Sequence, residues 1–242
     1  MRQSLTKDRF ILIIALLAAA VVCANADASP FIFSSSSGTR AASALFQTNG
    51  MDLIITLQNT SSYDALTPPD ILTGVFFDVA GVPLTLTRVS AIVPASSSVC
   101  FGATEPGGVV GGEWAYRAAL SGPRGAAYGI SSAGLGLFGQ ADVFPGSNLQ
   151  GPASPDGLQY GITSAADDPA TGNQAVTGSN ALIKSSVMFT LSGLPAGFSP
   201  LQAISNVNFQ YGTSLSEPNL NPEPATLALL GLAGFAGLRR RR

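Results

Sequence analysis

The chain has 242 residues, 46% of them apolar, which is enough for one sizeable core, and only 11% are charged, well under the usual quarter. With 27 Gly and 16 Pro it stays below the level at which a low-complexity or disordered chain is the better reading. It contains no His, which excludes Ser-His-Asp and Cys-His catalysis and the usual His-ligated zinc, iron or copper sites.

At the start, Arg2, Lys7 and Arg9 precede an uninterrupted apolar run from Phe10 to Val22. Ala24-Asn25-Ala26 and Ala26-Asp27-Ala28 follow as overlapping small-x-small cleavage options. This is the three-part layout of a secretory signal peptide, so residues 1–28 are expected to pass the Sec translocon and be removed by signal peptidase. Cys23 follows Ala20, Val21 and Val22, not the Leu and small residue that lipidation needs, and belongs to the discarded peptide. Cys100 is then the one cysteine of the mature body, so no intrachain disulfide can form.

The body is expected over residues 29–214, with a linker over 215–221. From Ser29 to Asn221 there are five basic and eleven acidic residues, leaving this part at −6 where the whole chain is at −2. An acidic surface argues against nucleic acid and anionic lipid as partners. In Asp52 to Gln58, Leu53, Ile55 and Leu57 alternate with Ile54, Thr56 and Gln58, the period of a strand. Val75, Phe77 and Val79 alternate around Phe76 and Asp78, and Leu84 and Leu86 with Thr85 and Thr87, before an apolar run from Val89 to Val93. Further on, Val187, Phe189 and Leu191 alternate with polar or flexible neighbours, and Val207, Phe209 and Tyr211 alternate with a face of amides, Asn206, Asn208 and Gln210.

Turn clusters such as Thr67-Pro68-Pro69-Asp70, Ala80-Gly81 and Gly193-Leu194-Pro195 separate these runs. Short strands with Gly and Pro turns predict an all-β fold, a single antiparallel β-sandwich or jelly-roll-like domain. From Gly107 to Gly157 glycines recur among scattered aromatics, and two or three short strands between long surface loops are expected. Such loops are where a sandwich carries a binding site. Trp114, Tyr116 and Tyr128 are the candidates there for stacking on sugar rings.

Asp156 and the segment Asp167-Asp168-Pro169-Ala170-Thr171-Gly172-Asn173 gather hard oxygen donors. No cofactor is expected; calcium takes six to eight such oxygens, and were it to bind, Asp156, Asp167, Asp168 and Asn173 would be the candidate ligands. The spacing is not that of an EF-hand, and Asp-Asp-Pro is equally an ordinary Asx turn.

The chain closes on Pro222-Glu223-Pro224, an apolar run from Ala225 to Leu238, and Arg239, Arg240, Arg241 and Arg242. As a helix the run spans only about 21 Å, short of the roughly 30 Å core of an average bilayer, which by length alone favours a buried helix. Terminal arginines shift the balance, because they snorkel to headgroups and are retained on the cytoplasmic side. Two prolines around one acid make a stiff, extended segment that a protease can read just outside the membrane.

Triplet, short helix and Arg cluster, in that order over 222–242, resemble the PEP-CTERM sorting signal of bacterial surface proteins, and nothing here departs from that pattern. The resemblance implies a transmembrane sorting helix and processing by an exosortase, a membrane transpeptidase or protease acting near the triplet, in bacteria that make exopolysaccharide. The protein would be the enzyme's substrate, transiently held in the inner membrane and then delivered to the surface or the matrix.

Three functions compete for the body. A non-catalytic surface or matrix protein associated with exopolysaccharide or biofilm is favoured by the sorting signal and the missing catalytic residues. A carbohydrate-binding module would use the aromatics named above, and a glycoside hydrolase would need only two carboxylates, whose identity the sequence does not select.

Overall fold

The computed structural model describes residues 29–81, 83–137, 147–151, 157–172 and 180–222. These residues are mostly β, in two sheets, with no closed barrel. Among them no helix is long and apolar enough to cross a membrane. The runs Phe10–Val22 and Ala225–Leu238, read as the signal and sorting helices, lie outside the described residues.

The chain opens with β1 (Phe31–Ser37), β2 (Arg40–Asn49) and β3 (Asp52–Asn59), then crosses to β4 (Leu72–Val79). Two-residue turns join the first three strands, with Gly38 and Gly50 each at φ +60° in the leading turn position. This is the backbone that matches the twist of a tight hairpin and that an L side chain resists. Next come β5 (Thr87–Ile92), β6 (Ser98–Cys100), β7 (Ala115–Arg117), β8 (Tyr128–Ser131) and β9 (Gly161–Thr163). The last four strands are β10 (Leu182–Lys184), β11 (Ser186–Ser192), β12 (Ile204–Tyr211) and β13 (Asn219–Leu220).

One sheet has the order β1-β2-β3-β11-β5, the other β13-β12-β4-β9-β10-β6, with β8 and then β7 branching from β4. All pairs are antiparallel except β9 with β10. That departure from the expected antiparallel pattern follows from the long connection over 164–181, since a parallel pair needs a crossover of a dozen or more residues. The sheets bury one core between them. Phe46 of β2 meets Phe77 of β4 edge-on at 5.3 Å between ring centroids, and Leu53, Ile55, Leu57, Val75, Ile130, Phe189 and Phe209 are all fully buried in the same cluster. Cross-links tie the sheets at their ends. Asn59 Nδ2 of β3 donates to the Ile162 carbonyl of β9 at 3.1 Å, and Arg40 of β2 bonds Asp70 at 2.8 Å and the Pro69 carbonyl at 2.7 Å.

β3 follows its predicted alternation, with Leu53, Ile55 and Leu57 inward and their neighbours half-exposed. Other strands depart from theirs. Leu84 and Leu86 precede β5 and are not part of a strand; Leu86 is buried, and the Leu84 amide accepts its place by donating to the Tyr128 hydroxyl at 2.8 Å. On β4 both faces are buried, because the segment after β7 folds back over the outer one. Phe76 packs there with Ala115, Ala126, Ala133 and Leu135.

The amide face of β12 is likewise covered: Asn208 and Gln210 are fully buried. Gln210 Nε2 donates to the carbonyls of Tyr211 at 2.8 Å and Ser214 at 3.0 Å, and its Oε1 accepts from Asn219 Nδ2 at 3.2 Å. Part of the expected linker is strand: within residues 215–221, Asn219 and Leu220 form β13. Gln210 satisfies the turn that brings β13 back onto β12, pairing Phe209 with Leu220 and Gln210 with Asn219.

Candidate functional site

The chain leaves the body between two sheet edges, β13 on one side and β1 on the other. Three hydrogen bonds fix the exit. Asn221 Nδ2 donates to the Val207 carbonyl at 3.0 Å and to Asn208 Oδ1 at 3.2 Å, while Ser35 Oγ of β1 donates to the Asn221 carbonyl at 3.2 Å. Beside it runs an open groove of about 720 Å³ lined by Ser34 to Ser37, Ala41, Thr60 and Asn219 to Asn221. Its wall carries hydroxyls and amides and no charged side chain. Pro222 is half-buried at its end; Glu223, Pro224 and Arg239 to Arg242 lie outside the described residues. The run of four serines after Phe33 is the only mark this groove leaves in the sequence, and by itself it does not point to a site.

The aromatic candidates are core residues. Trp114 is fully buried against Phe189, 4.9 Å between centroids. Tyr128 stacks on Phe77 at 5.7 Å and uses its hydroxyl on the Leu84 backbone. Tyr116 is buried too, and its hydroxyl and the Trp114 indole nitrogen have no hydrogen-bond partner among the described residues. Rings without exposed faces are not a stacking platform. The sequence pattern misleads here because residues 114–116 and 128–135 of the glycine-rich segment pack inward. Burial pushes the Tyr116 phenol well above its ordinary range.

The acidic candidates separate. Asp167 turns inward, 2% exposed, with Oδ1 accepting the Ala65 amide at 2.8 Å and Lys184 Nζ on its carbonyl at 2.5 Å. Its Oδ2 is buried without a partner among the described residues. Asp168 turns outward and closes an Asx turn on the Ala170 amide at 3.0 Å, and its own amide donates to Asp64 Oδ1 at 2.9 Å. The structure thus does not bring Asp167 and Asp168 together. Asp156 and Asn173 lie outside the described residues, and among the described residues no three Cys, Asp or Glu side chains are grouped to hold a metal ion. Cys100 is a free, half-buried thiol on β6; burial pushes its pKa up, with Lys184 opposing and Asp167 adding to the effect. That suppresses the thiolate a reactive cysteine needs.

The described all-β residues end at Pro222, the first residue of the Pro-Glu-Pro triplet read above as a C-terminal address. The family model described as the PEP-CTERM protein-sorting motif matches residues 222–242. The chain is therefore a PEP-CTERM domain-containing protein, and the motif marks it as an exported surface protein with an exosortase as processing partner. Neither a curated protein nor a solved structure matches the chain.

Proposed function

We propose that the protein is a non-catalytic component of the cell surface or extracellular matrix, associated with exopolysaccharide or biofilm, whose β-sandwich body is the delivered cargo. The observation that carries this reading is the sorting motif over 222–242. Residues 1–28 direct export and are removed. The run from Ala225 to Leu238 then holds the precursor in the inner membrane with Arg239 to Arg242 on the cytoplasmic side, until the exosortase acts near Glu223. The lack of any His and the use of Trp114, Tyr116 and Tyr128 as packing support a body that works by being placed and not by turning over a substrate.

Intact mass of the protein recovered from the host's surface and medium tests the reading, with Glu223→Ala beside it. The expected mature chain starts near Ser29 and lacks the residues after the triplet, and the variant is processed slowly or not at all. A mature chain that keeps Arg239 to Arg242 would sink the proposal.

A further inference from the structure

The motif begins at Pro222, directly after the last described strand and Asn221. β13 is paired with β12, Leu220 is buried, and both the side chain and the carbonyl of Asn221 are hydrogen-bonded into the fold. Whatever their conformation, the residues between Pro222 and Ala225 reach at most about 11 Å. A membrane enzyme that grips Glu223 while the apolar run is in the bilayer must therefore lie against the body at the exit. What it meets there is the groove between β1 and β13, without a charged residue and lined by Ser34 to Ser37, Thr60, Asn219 and Asn221, of which Ser34, Ser36, Ser37 and Thr60 are exposed.

We infer that this groove is a docking surface for the processing exosortase, so that the enzyme reads the folded edge of its substrate together with the triplet. The inference rests on the exosortase reading of the motif. It names one occupant because the covalent tether is short: Asn221, which lines the groove, is two residues from Glu223, so an enzyme acting at the triplet works close to it. The groove's chemistry suits the role. Hydroxyl and amide groups can exchange water for an enzyme's polar groups without the desolvation cost of a buried charge.

Ser36 and Thr60 are exposed, so Ser36→Arg with Thr60→Arg changes the groove without touching the core, and an unchanged melting temperature verifies this. The experiment follows precursor conversion by pulse-chase in the native host, using the full chain. At native spacing the double variant is expected to be processed about tenfold more slowly, the scale of one poorly accommodated charge at an interface.

A flexible Gly-Ser spacer of roughly six residues between Asn221 and Pro222, long enough to separate body and enzyme, is expected to bring the double variant within about twofold of the spacer chain alone. An undiminished rate at native spacing, or an equal defect with the spacer present, overturns the docking surface. Glu223→Ala in the same assay reports on the parent reading: wild-type processing of that variant refutes exosortase recognition of the triplet and takes the groove with it.

Discussion

Replacing Gln210 by Leu keeps the volume and apolar packing of β12 and removes the side chain that satisfies carbonyls of the turn into β13. Its Nε2 serves the carbonyls of Tyr211 and Ser214 at 2.8 and 3.0 Å, with longer contacts to Glu217 and Pro218, and its Oε1 holds Asn219. A net hydrogen bond is worth about 1 kcal/mol, and an acceptor left buried without a donor costs somewhat more. Two such acceptors put the loss at about 2–3 kcal/mol.

For a body of this size each kcal/mol moves Tm by about 2–4 °C, so Gln210→Leu is expected to melt roughly 5–10 °C lower. Thermal and urea melts followed by circular dichroism measure the loss, and hydrogen exchange locates it. Amides over 212–221 are expected to exchange faster while those of β3 and β11 keep their protection. A variant melting within about 1 °C of the parent would show that water replaces the amide at no cost and that the turn is not held as described.

Gly129 lies beside Phe76, and a Cβ there would come within 2.6 Å of the ring. Gly129→Ala is expected to cost about 1–3 kcal/mol by overpacking, read by urea melting; a neutral result would place the ring elsewhere. Trp114 is the single Trp of the chain and fully buried, so its emission should be blue-shifted, resist acrylamide and ignore added polysaccharide, whereas a sugar-dependent change would return it to a binding site.

Burial raises the folded-state pKa of Tyr116 and Tyr211 above the ordinary value. The unfolded chain therefore releases those protons first. Their stabilisation is complete below about pH 10 and falls above it by about 1.4 kcal/mol per pH unit for each tyrosine. Urea melts at pH 9 and 11 should show this, and Tyr116→Phe should flatten the slope. Asp167→Ala strands the buried Ala65 amide and is expected to lose about 1–2 kcal/mol, with Asp167→Asn recovering most of it if the role is the hydrogen bond through Oδ1.

The sorting segment was legible because it is a linear signal. A triplet, an apolar run and a basic end act in sequence order, with no need for a partner strand, and the family match falls on the same residues. Strands with one wet face were legible for a related reason: β3 and β11 show their period because one side faces the core and the other is partly solvated. The same logic misread β12 and the aromatic middle. Alternation tells which residues share a face; it does not tell what covers that face.

Composition and order by themselves determined that this is an exported all-β protein with a C-terminal address and no histidine chemistry. Only the tertiary structure decided that Asn208 and Gln210 are interior, that Trp114, Tyr116 and Tyr128 are packing, and that Asp167 and Asp168 face apart. It also placed Asn221 next to β1, the first strand of the fold. The physical reason is that burial and hydrogen-bond partnership arise between segments distant in sequence, as in the bond from Ser35 to Asn221, and no local period encodes which two edges of two sheets will meet.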